Sequence, residues 1–158
     1  MYWIIAFLVT VLGAVIQILL SGSTGFTTAH IAEVSLIWLL AGFYGVATFL
    51  AGLQHLFNSD KIANYIGWST GSGFQLELGW AEVGLGLASF LAIWFRGPYF
   101  ISSSIAGSAL FLGAAFVHAR DIAKKRNLNP GNAGPVFYID IITPVLVIVM
   151  LILYAPWK

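Results

Sequence analysis

The 158 residues are 59% hydrophobic, 15% aromatic and only 8% charged, against about 25% charged in an ordinary soluble domain. Seven Lys+Arg against six Asp+Glu leave a net charge of +1, so no basic field points to nucleic acid, and the lack of cysteine removes disulfides, thiolate metal sites and iron–sulfur clusters. A mean hydropathy of +0.92 excludes a water-soluble globule and points to a polytopic membrane protein.

A spanning helix needs about 20 mostly apolar residues, and five stretches qualify: 2–20, 34–57, 78–95, 100–123 and 135–157. Backbone polar groups must be satisfied inside hydrocarbon, and these runs are too long for barrel strands. The expected fold is therefore an all-α integral membrane helical bundle, a single transmembrane domain over 1–158 with four core helices and an N-terminal one. The first stretch carries one strongly polar residue, Gln17, and lacks both a basic n-region and a cleavage signal, so it reads as a retained helix. His30 and Glu33 fall in the first connection.

The second connection, 58–77, is long for so small a bundle. Asp60 to Trp68 suits a short interfacial helix capped by Ser59, with Trp68 as anchor. Arg96-Gly97-Pro98-Tyr99 joins the third and fourth spans as a tight hairpin. The last connection holds Asn129-Pro130-Gly131-Asn132-Ala133-Gly134-Pro135, where Pro-Gly favours a turn and Pro135 suits a first helical position.

Lys61, Arg120, Lys124, Lys125 and Arg126 fall on one side of the bundle, Arg96 and Lys158 on the other. Basic residues favour the cytoplasmic side. The expected localisation is the cell membrane, multi-pass, with a cytoplasmic N-terminus and an outer C-terminus.

Six ionisable groups lie at that basic end of four different spans: His55, Glu77, Glu82, His118, Asp121 and Asp140. An ionisable side chain within a span costs several kcal/mol unless paired or hydrated, so it marks a candidate site. Gly79, Glu82, Gly86 and Ser89 share one helical stripe, small enough for another helix to pack closely beside Glu82. His118 and Asp121, three apart, can point at one centre. Pro144 frees the carbonyl of Asp140 from its helical partner.

Four carboxylates and two imidazoles match the ligand types of carboxylate-bridged metal sites, and two His with one or two carboxylates suffice for Zn²⁺ or Fe²⁺. A divalent transition metal held among His55, Glu77, Glu82, His118, Asp121 and Asp140 is the leading expectation. With it goes the expectation of an enzyme on a membrane-soluble substrate, using Glu82, Asp140 and Tyr138 as acid–base or hydrogen-bonding groups. Mutual pairing, such as Glu82 with His118, is the structural alternative. A bis-His b-type haem on His55 and His118 is a weaker reading. The functional alternatives are a proton- or cation-coupled small transporter and a helper subunit of a larger membrane complex. The expected partners are the lipid bilayer and a homo-oligomer or larger membrane complex, with no nucleic acid.

Three motifs stand out: Phe74-Gln75-Leu76-Glu77-Leu78-Gly79 followed by Glu82, Gly113-Ala114-Ala115-Phe116-Val117-His118, and Asn129 to Asp140 with its Pro-Gly-Asn-Ala-Gly-Pro-Val-Phe-Tyr run. Together they resemble an uncharacterised family of short prokaryotic polytopic membrane proteins, a domain of unknown function, over roughly 41–153. The resemblance implies architecture without activity. It places emphasis on Glu77, Glu82, His118, Asn132, Tyr138 and Asp140. This chain departs from the family pattern in having Glu rather than Asp at 82 and no Pro before Phe74.

Overall fold

The computed structural model describes residues 2–155 and is entirely helical where it is regular. Helix α1 is Tyr2–Leu20, and α2 runs through Thr28–Phe57. A short helix α3, Ser59–Ile66, leads to α4, Phe74–Phe90, which tightens into a 3₁₀ turn over Leu91–Ile93. Helix α5 is Pro98–Lys125, α6 is the single turn Pro130–Ala133, and α7 is Pro135–Tyr154. Five of these stretches are long and apolar enough to cross a membrane, as expected.

Helix α2 starts six residues before the sequence reading placed it. Thr27 is extended, and its side chain accepts from the His30 backbone N–H, a capping geometry that begins the helix at Thr28. His30 and Glu33 are therefore helical and not in a connection. Glu33 accepts from Arg96 Nε at 3.1 Å, tying α2 to the α4–α5 hairpin. The middle of α2, Trp38–Ala47, is a π-helix, which no periodicity in the sequence signalled. Its wider turn lets Thr48 Oγ1 donate back to the Phe43 carbonyl.

Helix α1 docks on α2 through Trp38, whose ring lies over Gly13 and whose Nε1 donates to Gln17 Oε1 at 2.7 Å. The one polar side chain singled out in α1 thus has a partner. The rest of α1 is mostly exposed leucine, isoleucine and valine. The core centres on the π segment. Phe43 and Tyr44 are fully buried, Tyr44 stacks on Phe111 with centroids 4.9 Å apart, and Leu36, Leu40, Phe100 and Val147 close around them. Tyr44 fits because Gly107 of α5 leaves room for its ring, and Ser108 bonds its hydroxyl at 3.1 Å.

Helices α2 and α4 meet backbone to backbone. A Cβ on Gly52 would lie 2.6 Å from the Gly79 carbonyl, and one on Gly86 would lie 2.7 Å from the Phe49 amide. The predicted stripe of Gly79, Glu82, Gly86 and Ser89 is the buried face that makes this contact. Helix α4 packs chiefly on α2, and α5 chiefly on α7.

Two connections cap one end of the bundle. Asn58 precedes α3, so Ser59 opens that helix instead of capping it. Gly67, at φ +86, ends it in the left-handed conformation that glycine tolerates. Pro130 and Gly131, expected to form a turn, begin the helical turn α6. Gly131 lies against Tyr65, and Asn127 Nδ2 donates to the Ile66 carbonyl at 2.9 Å, joining the two connections. Trp157 and Lys158, assigned to the end of the fifth span and to the outer side, lie outside the described residues.

Candidate functional site

Beneath these connections lies a cavity of about 470 Å³, mostly apolar in its walls. Two imidazoles and two carboxyls from four helices line it: His55, Glu82, His118 and Asp140. They form two pairs. His55 Nε2 faces Glu82 Oε2 at 3.7 Å, and His118 Nε2 faces Asp140 Oδ2 at 3.9 Å. The pairing of Glu82 with His118 considered from the sequence is not the one adopted.

Each pair has a local cause. The glycine contact of Gly52 with Gly79 brings α2 and α4 together one turn from His55 and Glu82. His118 and Asp140 meet because α5 and α7 pack antiparallel around the tight 126–134 connection.

Both imidazoles are oriented from behind by an amide. His55 Nδ1 lies 2.5 Å from Gln75 Oε1, and His118 Nδ1 lies 2.7 Å from Asn132 Oδ1. Asn132 is fully buried, and its Nδ2 donates to the Asn127 carbonyl at 2.8 Å. That bond fixes which end of the amide faces the ring. An amide oxygen only accepts, so His118 Nδ1 carries the proton. Nε2 then faces the carboxyl, and the contact is favourable only with a proton on one partner or the other. At His55, Gln75 Oε1 occupies the corresponding place behind Nδ1, and Glu82 faces Nε2. Each imidazole thus stands between an amide oxygen and a carboxyl. Glu82 Oε2 is buried without a hydrogen-bond partner among the described residues.

The remaining sequence candidates lie elsewhere. Glu77 is exposed on the first turn of α4. Tyr138 is 58% exposed on α7, away from the cavity walls. Asp121 does not share a centre with His118, because residues three apart on α5 diverge toward different neighbours. Asp121 accepts from Asn127 Nδ2 and Trp68 Nε1, and it pairs with Lys125 at 2.7 Å. Among the described residues, no three His, Cys, Asp or Glu side chains form a group suited to a metal ion. The side chains proposed as Zn²⁺ or Fe²⁺ ligands stand as two separate pairs and two outlying carboxylates.

Sequence reasoning missed Gln75, Asn127 and the placement of Trp68. Gln75 sits on the same stripe as Gly79 and Glu82, a signal that was available. Trp68 is not an outward anchor. It is half-buried, and its ring stacks on His118 with centroids 5.7 Å apart and planes 20° apart. Phe74 meets Trp68 edge-on and lines the cavity.

No curated protein and no solved structure matches this chain. Residues 1–157 match the model of a family of unknown function, DUF6790, and the chain belongs to that family.

Proposed function

We propose that this chain is an integral membrane protein that binds a small membrane-soluble molecule in the bundle cavity and exchanges protons there through His55–Glu82 and His118–Asp140. The observation that carries this reading is the convergence of two imidazole–carboxyl pairs, from four helices, on one largely apolar cavity. The cavity volume falls within the range of about 300–1,000 Å³ usual for small-molecule pockets. The amide behind each imidazole fixes the ring so that Nε2 and the carboxyl act together as donor and acceptor. The exposed apolar residues of α1, α4 and α7 suit contact with lipid. The basic residues around the two capping connections favour that end in the cytoplasm. The arrangement serves either acid–base chemistry on the bound molecule or its proton-coupled movement.

Infrared difference spectroscopy on the protein in lipid nanodiscs tests the proposal. Stepping the pH between about 5 and 9 is expected to change protonated-carboxyl bands, one component disappearing in Glu82→Gln and another in Asp140→Asn. A wild-type spectrum without titrating carboxyls, or one unchanged in both folded variants, overturns it. Proton flux in liposomes that Asp140→Asn abolishes would assign the chemistry to transport.

A further inference from the structure

A second cavity, about 660 Å³ and more polar, adjoins the first. The two share Trp68, Phe74 and Val117 as walls. Arg120, Asp121, Lys124 and Lys125 of α5 line the outer one, together with Gln75 of α4 and with Ser69 and Ser72 of the 67–73 connection. Lys125 is engaged by Asp121. Arg120 and Lys124 have no carboxylate partner among the described residues, so the outer cavity presents two uncompensated cations. The inner cavity reverses this character. It is mostly apolar, and each of its carboxyls already faces an imidazole.

The inner cavity also reaches the surface sideways. Ala109, Gly113 and Val117, four residues apart along α5, line it and are exposed. A Cβ on Gly113 would meet nothing within 4 Å. Because α4 packs on α2 while α5 packs on α7, the two hairpin partners leave a flank open at this end.

We infer that the two cavities form one bipartite site for an amphipathic anion, a single-chain phosphate or carboxylate drawn from the bilayer. Its headgroup sits with Arg120 and Lys124, and its apolar chain passes Trp68 and Phe74 into the inner cavity. This inference rests on the proposed ligand-binding role of that cavity and adds the ligand's chemical class. A cationic amphiphile is disfavoured because it would have to pass two unpaired cations at the mouth. A headgroup that remains beside Trp68 lies next to His118, on which that ring stacks, and so close to the His118–Asp140 pair.

The test is saturable binding of radiolabelled decyl phosphate to the full chain in phosphatidylcholine nanodiscs, with empty nanodiscs as blank. Decanol, decyltrimethylammonium and inorganic phosphate serve as competitors. We expect saturable binding that decanol, decyltrimethylammonium and inorganic phosphate displace poorly. The double variant Arg120→Gln/Lys124→Gln, altered only at exposed positions, should bind about tenfold more weakly. Gly113→Leu should also weaken binding, by filling the flank, while leaving thermal unfolding unchanged. Unaltered affinity in the double variant overturns the inference. So does equal competition by decyltrimethylammonium, or by inorganic phosphate, which would mean a headgroup site alone. Equal competition by decanol, still blocked by Gly113→Leu, overturns the anionic class but spares the cavity as a binding site. Absence of any saturable binding removes both.

Discussion

The two imidazole–carboxyl pairs look alike at the cavity and are built in different ways. His55–Glu82 rests on a helix–helix contact in which glycine backbones touch, and its supporting amide, Gln75, comes from the same helix as the carboxyl. His118–Asp140 rests on a connection, because Asn132, Asn127 and Trp68 hold His118 and its neighbour Asp121 from outside the long helices. The first pair depends on close packing, which has no give. The second depends on a chain of hydrogen bonds, which can be removed one at a time. The difference predicts how each pair fails.

The largest effect is expected at the glycine contact. Gly52→Ala would place a methyl carbon 2.6 Å from the Gly79 carbonyl and 2.8 Å from the Val83 amide, both backbone atoms that cannot swing aside. Overpacking of this kind costs about 1–3 kcal/mol or more, and His55 should separate from Glu82. Gly84, whose added Cβ meets nothing within 4 Å, is the control. Gly84→Ala should be neutral or raise stability by up to about 1 kcal/mol through helix propensity. Thermal unfolding in mild detergent separates the two. Equal melting of both variants would show that α2 and α4 are not in backbone contact.

Next in size is Asn132→Ala. It leaves the His118 Nδ1–H and the Asn127 carbonyl without the partners that a fully buried side chain gave them. The two lost hydrogen bonds contribute about 0.5–1.5 kcal/mol each. Gln75→Ala removes one such bond and should cost about half as much. Nitrogen-15 spectra of labelled histidine would show loss of the Nδ1–H preference at His118 in the first variant and at His55 in the second. A ring that keeps its tautomer without its amide is oriented by the carboxyl alone.

The same contrast governs what could be read from the sequence. The spans follow from hydropathy, and the close-packing face of α4 from glycine spacing on a single helix, since both are local periodic signals. Glu82 and Asp140 were legible because a carboxyl within an apolar run is costly wherever it points. The direction of a side chain near a helix end was not legible. Asp121 had the spacing to join His118, yet Lys125, Asn127 and Trp68 drew it away. Trp68 had the composition of an interfacial anchor, but its direction is set by Gly67 and by the fold of a loop that carries no periodicity. The early start of α2 was hidden because a single Thr27 cap is a weak signal beside an apolar run. The π segment was hidden because hydropathy does not distinguish one helical register from another.

The smallest effects concern Asp121, and they decide what holds the Trp68 roof over His118. Trp68→Phe keeps an aromatic face on the imidazole but deletes the Nε1–H that Asp121 accepts at 3.0 Å. Asp121 retains Asn127 and Lys125, so the loss should be about 0.5–1.5 kcal/mol. Lys125→Ala removes an ion pair whose lysine side chain is 70% exposed, and exposed pairs contribute about 0–1 kcal/mol. Trp68→Phe should therefore melt lower than Lys125→Ala, and only the Lys125 contribution should shrink as salt is raised. Reversal of that order would mean that charge on Asp121, and not the indole bond, keeps the outer cavity in place. The separation of Lys125 from the two unpaired cations would then have to be redrawn.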